Sequence, residues 1–149
     1  FRKHTMTFFR FILSSLVLCS VACSGSKKLL YNSVEFGSGG GFTGMEKVYG
    51  FTENGEIYTT EGFHGSKSQE KIGTLRKSEI KNINKELKKI KVTSLKYNKP
   101  GNVFNFIEIE KDGKTYRYVW NSGNKDTPSA LKNLYTFLME HISTYTQKE

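Results

Sequence analysis

The sequence predicts an α+β domain, an antiparallel sheet built from hairpins and packed against two amphipathic helices. Three observations carry this prediction. Asn54-Gly55 and Asp112-Gly113 each separate two stretches of alternating apolar residues, and such pairs mark hairpins because both turn positions tolerate positive φ. Ile80, Ile83, Leu87 and Ile90 recur at spacings of three, four and three, the period of one helix face. Leu131, Leu134, Tyr135, Leu138 and Ile142 form a second stripe of the same kind.

The chain before the domain has a different character. Arg2, Lys3 and Arg10 flank and precede Phe11 to Ala22, twelve residues without a charge, fewer than the roughly twenty that span a bilayer as a helix. Residues 1–22 therefore read as a secretory signal peptide, with Met6 an alternative start. The segment closes on Ser20-Val21-Ala22-Cys23, similar to a lipobox with serine in place of the usual leucine. Cys23 is the expected acylated residue and new N-terminus. Cys19 fits less well, because Leu18 before it is bulky for the peptidase. Ser24-Gly25-Ser26-Lys27-Lys28 follows as a flexible tether, residues 23–30 in all. The expected location is the bacterial envelope, lipid-anchored, on the outer membrane and facing the periplasm.

From residue 31 to 145 a single domain is expected. Val34 and Phe36 alternate with Ser33 and Glu35 as a first strand, and Gly37 to Gly44 reads as a glycine-rich loop. A second strand covers roughly Glu46 to Phe51, and a third starts at Glu56 after the Asn54-Gly55 turn. Gly62 to Gly73 has no apolar period and reads as a surface loop. The first helix is placed from about Ser78 to Lys91, with Ser78 as N-cap and Glu79 favouring the positive helix start. Two strands follow, Val103 to Glu110 and Lys114 to Trp120, the second placing Tyr116, Tyr118 and Trp120 on one face against a helix. Thr127 reads as the N-cap of the last helix and Pro128 as its first residue.

Composition limits the chemistry. Both cysteines, Cys19 and Cys23, lie in or at the edge of the leader, so the domain has no pair for a disulfide and must stand on its apolar core. The formal net charge of +9 falls to +6 once Arg2, Lys3 and Arg10 are removed, and much of the remainder is lysine on the first helix. A basic surface suits an anionic membrane, an acidic protein or nucleic acid. The run Tyr116-Arg117-Tyr118 lacks the ordered motif of an RNA-binding sheet, and nucleic acid is not expected as a partner.

No metal or cofactor is expected either. His4, His64 and His141 are scattered, without the spacing of a ligand cluster. No serine sits in a GxSxG turn. Glu108 and Glu110 share a strand face, as paired hydrolase carboxylates can, or simply face solvent. Gly39-Gly40-Gly41-Phe42-Thr43-Gly44 has the letters of GxGxxG, but a dinucleotide site needs those glycines to open a helix, and strand-like alternation follows them.

The same glycines are the candidate site. Gly37 to Gly44 carries one large apolar side chain among five glycines, a costly composition unless the backbone needs positive φ or close approach. Phe42 can be tucked into the core, or it can be presented to a partner; the partner-binding set is then Gly39, Gly40, Gly41, Phe42, Thr43 and Gly44. With its Gly40-Gly41-Phe42-Thr43-Gly44 motif, the helix introduced by Leu75 and the hairpin from Phe104 to Trp120 before a last helix, the chain resembles the emfourin family of bacterial metallopeptidase inhibitors. The resemblance covers about residues 32 to 143, with threonine for the family's alanine and no arginine ahead of the motif. It implies a loop that blocks a thermolysin-like peptidase. The reading from the residues is broader: a non-enzymatic, lipid-anchored protein-binding module, with peptidase inhibition as one alternative and a small envelope enzyme as another.

Overall fold

The computed structural model describes residues 28–63 and 66–147. Residues 1–22, Cys23 and His64, named above, lie outside them. The fold is α+β: a seven-stranded sheet with two helices on one face. The strands are β1 (Ser33–Gly40), β2 (Glu46–Thr52), β3 (Glu56–Phe63), β4 (Ser66–Thr74), β5 (Asn98–Lys99), β6 (Val103–Lys111) and β7 (Lys114–Asn121). Helix α1 (Lys77–Leu87) follows β4, and α2 (Ser129–Thr146) follows β7. Across the sheet the order is β4-β3-β2-β1-β6-β7-β5. All pairs are antiparallel except β5 with β7, which is parallel and only two residues long.

Alternation decides which side chains meet the helices. Val34 and Phe36 of β1, Tyr49 and Phe51 of β2, Ile107 and Ile109 of β6, and Tyr118 and Trp120 of β7 share one face. Against them the helices bring Ile80, Ile83 and Leu87 from α1 and Leu131, Leu134, Leu138 and Ile142 from α2. Burying one such side chain stabilises by roughly 1.5–3 kcal/mol, so this layer carries the fold. Tyr135 is only half-buried and sets its ring edge-on to Trp120 at 5.4 Å. Tyr118, fully buried, donates its hydroxyl to the Val92 carbonyl at 2.7 Å. That bond ties β7 to the segment after α1.

Five boundaries differ from the sequence expectation, the first being the end of α1, which stops at Leu87 with Lys88 as its C-cap and not at Lys91. β1 runs on through Gly37 to Gly40, so only Gly41 to Gly44 turns. Glycine reads as a loop former, yet here the missing side chains leave room for neighbours: a Cβ on Gly39 would meet Glu46 Cγ at 2.7 Å and Phe104 Cζ at 2.9 Å. Of the stretch from Gly62 to Gly73, read as a surface loop, the described residues are the end of β3 and most of β4. β4 is an edge strand, and its polar sequence suits an edge that should not pair with other chains.

The helix caps also move. Arg76, not Ser78, occupies the N-cap of α1 with extended backbone, and its N–H donates to Glu79 Oε2 at 2.6 Å. Pro128 is the N-cap of α2 and not its first residue; its carbonyl accepts from Leu131 and Lys132, while Thr127 donates to the Asn124 carbonyl at 3.2 Å.

The opposite sheet face is not bare. Val48, Phe106 and Val119 form a small buried cluster there, with Phe104 beside them. Arg117 roofs it: its guanidinium lies 4.1 Å from the Phe106 ring centroid and bridges Glu108 at 3.0 Å and Glu46 at 3.3 Å.

Candidate partner-binding site

The site is the turn that joins β1 to β2. Gly40, at the end of β1, has φ +95°, and a Cβ there would lie 2.1 Å from the Asn102 carbonyl oxygen. Only glycine fits. Gly41 and Gly44 also hold positive φ, at +73° and +63°, where other residues are strained. The turn is tied from within and from the neighbouring segment: Gly41 N–H donates to Asn102 O at 2.7 Å, Gly40 N–H to Met45 O at 3.3 Å, and Met45 N–H to Thr43 Oγ1 at 3.4 Å. A short turn held on two sides presents its side chains with little ordering cost.

Phe42 is fully exposed, at 108 % of its reference surface. Of the two sequence readings of this residue, the core one is therefore corrected: the Gly41 and Gly44 conformations turn the chain outward before Phe42 can reach the sheet. Among the residues whose burial is described, Met45 and Val103 are also exposed at this end, at 37 % and 47 %. Val103 pairs with Gly40 across β1 and β6. A hollow of about 220 Å³ sits behind the turn, lined among others by Gly39, Gly40, Met45, Glu46 and Val103. Sequence reasoning missed Met45 and Val103 because it did not place β6 beside β1. The apolar start of the strand after Pro100-Gly101 was the available signal.

The remaining candidates separate. Gly39 and Gly40 belong to β1, Gly41 to Gly44 form the turn, and β2 follows at Glu46, so the GxGxxG letters open no helix. Glu108 is ion-paired to Arg117, while Glu110 accepts from the Ser33 hydroxyl at 3.3 Å. Each carboxylate has its own partner.

His141 stacks on Phe137, with its buried Nε2 3.6 Å from Glu79 Oε1. Glu79 also accepts from Arg76 Nη2 at 2.8 Å and from the Tyr145 hydroxyl at 2.8 Å. Burial alone would raise this carboxyl; the hydrogen bonds from Arg76 and Tyr145 outweigh it and hold the group down at about 2. These residues clamp α1 to α2. Among the described residues, no three His, Cys, Asp or Glu side chains group as metal ligands, and no helix is long and apolar enough to cross a membrane.

A larger groove, about 780 Å³, opens on the helix side between the sheet and the end of α2. Lys47, Glu61, Glu70 and Lys71 give it both signs of charge, with Tyr49 and Tyr145 on its walls. Compared with known proteins, the chain matches no family model and no curated sequence.

Proposed function

We propose that this protein is a lipid-anchored, non-enzymatic protein-binding module of the bacterial envelope, with the Gly39–Gly44 turn as its recognition element. The observation that carries the reading is Phe42: a large apolar side chain fully in solvent on a backbone fixed by its glycines. Isolated aromatic anchors of this kind often dominate a protein interface once a partner's pocket closes around them. Met45 and Val103 add apolar surface next to it. The leader ending at Cys23 supports the envelope location.

Inhibition of a thermolysin-like metallopeptidase is the second reading, favoured by the shape of the turn. Gly41 and Gly44 flank the exposed side chain without side chains of their own, so the main chain can lie close to a cleft floor while Phe42 fills an apolar subsite.

The test is a titration of the protein and its Phe42→Ala variant against a thermolysin-like peptidase of the same organism. It is paired with photo-crosslinking in the intact envelope from position 42 and, as a control, from position 113 in the β6–β7 turn. Crosslinks specific to position 42 support the binding module. Nanomolar inhibition that weakens at least about tenfold in Phe42→Ala supports the inhibitor as well. Equal crosslinking from both positions overturns the turn as the recognition element.

A further inference from the structure

The chain joins the domain alongside its most basic element. Asn84 of α1 reaches the incoming segment with both ends of its side chain: Oδ1 accepts from Leu30 N–H at 2.7 Å, and Nδ2 donates to the Lys28 carbonyl at 3.0 Å. Leu29 is buried and its N–H donates to Glu53 O at 2.9 Å. The segment is thereby pinned to α1 only five residues after Cys23.

Lys77, Lys81, Lys85 and Lys88 are all exposed on that helix or its C-cap. At about 100° per residue they fall within an arc of about 80°, opposite Ile80, Ile83 and Leu87 and next to Asn84. The acids on this side are already engaged, Glu86 by Lys89 at 2.6 Å and Glu53 by Lys28 at 3.1 Å. None of the four stripe lysines has an ion-pair partner among the described residues. Leu30, beside the stripe, is 43 % exposed. Lysines around an exposed leucine suit a headgroup layer, which attracts the charges and accepts the apolar chain.

We propose that the α1 lysine stripe, with Leu30, is a docking surface for an anionic phospholipid bilayer. The proposal builds on the anchor reading, since a lipid on Cys23 would hold this face near the membrane. Four tether residues separate Cys23 from Lys28, so at about 3.4 Å per residue the attachment point stays within about 17 Å of the segment that α1 holds. The glycine turn lies at the other end of β1, roughly 26 Å away at about 3.3 Å per residue, and docking leaves it uncovered.

The experiment uses the full chain carrying Cys23→Ala, so that no acyl chain contributes. Co-sedimentation is measured with vesicles of phosphatidylcholine alone and of phosphatidylcholine with one third phosphatidylglycerol. The leader is common to all proteins compared, so the reading is the ratio of the two affinities. In a Lys81→Gln, Lys85→Gln, Lys88→Gln variant that ratio falls about tenfold or more and loses most of its salt dependence. A variant neutralised at Lys47, Lys99 and Lys125, at the glycine-turn end, keeps it.

Lys85→Glu alone moves the ratio in the same direction by a smaller factor, and far-UV circular dichroism checks folding of each protein. No preference for the anionic vesicles, or an equal loss in both triple variants, overturns the proposal. Tighter stripe-dependent binding to a duplex oligonucleotide than to the vesicles overturns it in favour of nucleic acid. An unacylated Cys23 in cells would remove the anchor reading while leaving this vesicle result intact.

Discussion

The hydroxyl of Tyr145, near the end of α2, donates a 2.8 Å hydrogen bond to the Glu79 carboxylate in the first turn of α1. The carboxylate thus joins the two helices, with Arg76 and His141 completing its surroundings. Its low proton affinity makes the clamp pH-dependent. A carboxyl whose folded value is depressed contributes stability that is present above its unfolded value, about 4.5, and is lost as pH falls toward about 2.

The first prediction follows from that sign. Glu79→Gln should destabilise the protein at pH 7 by on the order of 2 kcal/mol, a figure reduced for the solvent screening of the exposed Arg76. The gap between wild type and variant should then close between pH 4.5 and 2. Urea unfolding midpoints across that range check it, and a gap independent of pH would place the stabilisation elsewhere.

On the other face of the sheet, Tyr58 of β3 crosses Gly50 of β2 to reach Glu35 of β1, donating at 2.7 Å. A Cβ on Gly50 would lie 2.1 Å from Tyr58 Cζ. The second prediction is therefore an order. Gly50→Ala, which must expel the ring, should cost about 1–3 kcal/mol, and Tyr58→Phe, which loses one part-buried hydrogen bond, about 0.5–1.5 kcal/mol. Thermal unfolding of the two variants reads it directly. The reverse order would mean that the ring does not depend on the gap at Gly50.

Phe42 supplies the third. A fully exposed side chain contributes little to folding, so Phe42→Ala should unfold within about 0.5 kcal/mol of wild type, whereas Leu138→Ala in the core should lose about 2–5 kcal/mol. Parallel denaturation curves decide between them. A large loss for Phe42→Ala would return that side chain to the core and remove it as an anchor.

The fourth concerns the N-terminus. In cells the mature chain should begin at an acylated Cys23, and Cys23→Ala should leave the precursor uncleaved at that point. Mass spectrometry of the N-terminal peptide tests this; a start at any other residue ends the lipoprotein reading.

Much of the fold was legible in the sequence because period and turn chemistry are local. Val34, Phe36 and the Tyr118–Trp120 pair alternate whatever lies beside them, and the two helical stripes follow from 3.6 residues per turn. The Asp112-Gly113 turn needed both residues at positive φ, and both adopt it, at 51° and 71°. These features express what each segment can do alone. Other features depended on partners far along the chain. Gly37 to Gly40 became strand because β2 and β6 lie on either side of it and Phe104 fills the space over Gly39. The polar run Ser66–Thr74 became β4 because β3 offered a free edge, a long-range backbone pairing that leaves no apolar period to read. The exposure of Phe42 was of the same kind: composition allowed core or solvent, and the conformations of Gly40 and Gly41, held at the Asn102 carbonyl on the neighbouring segment, together with that of Gly44, sent it outward.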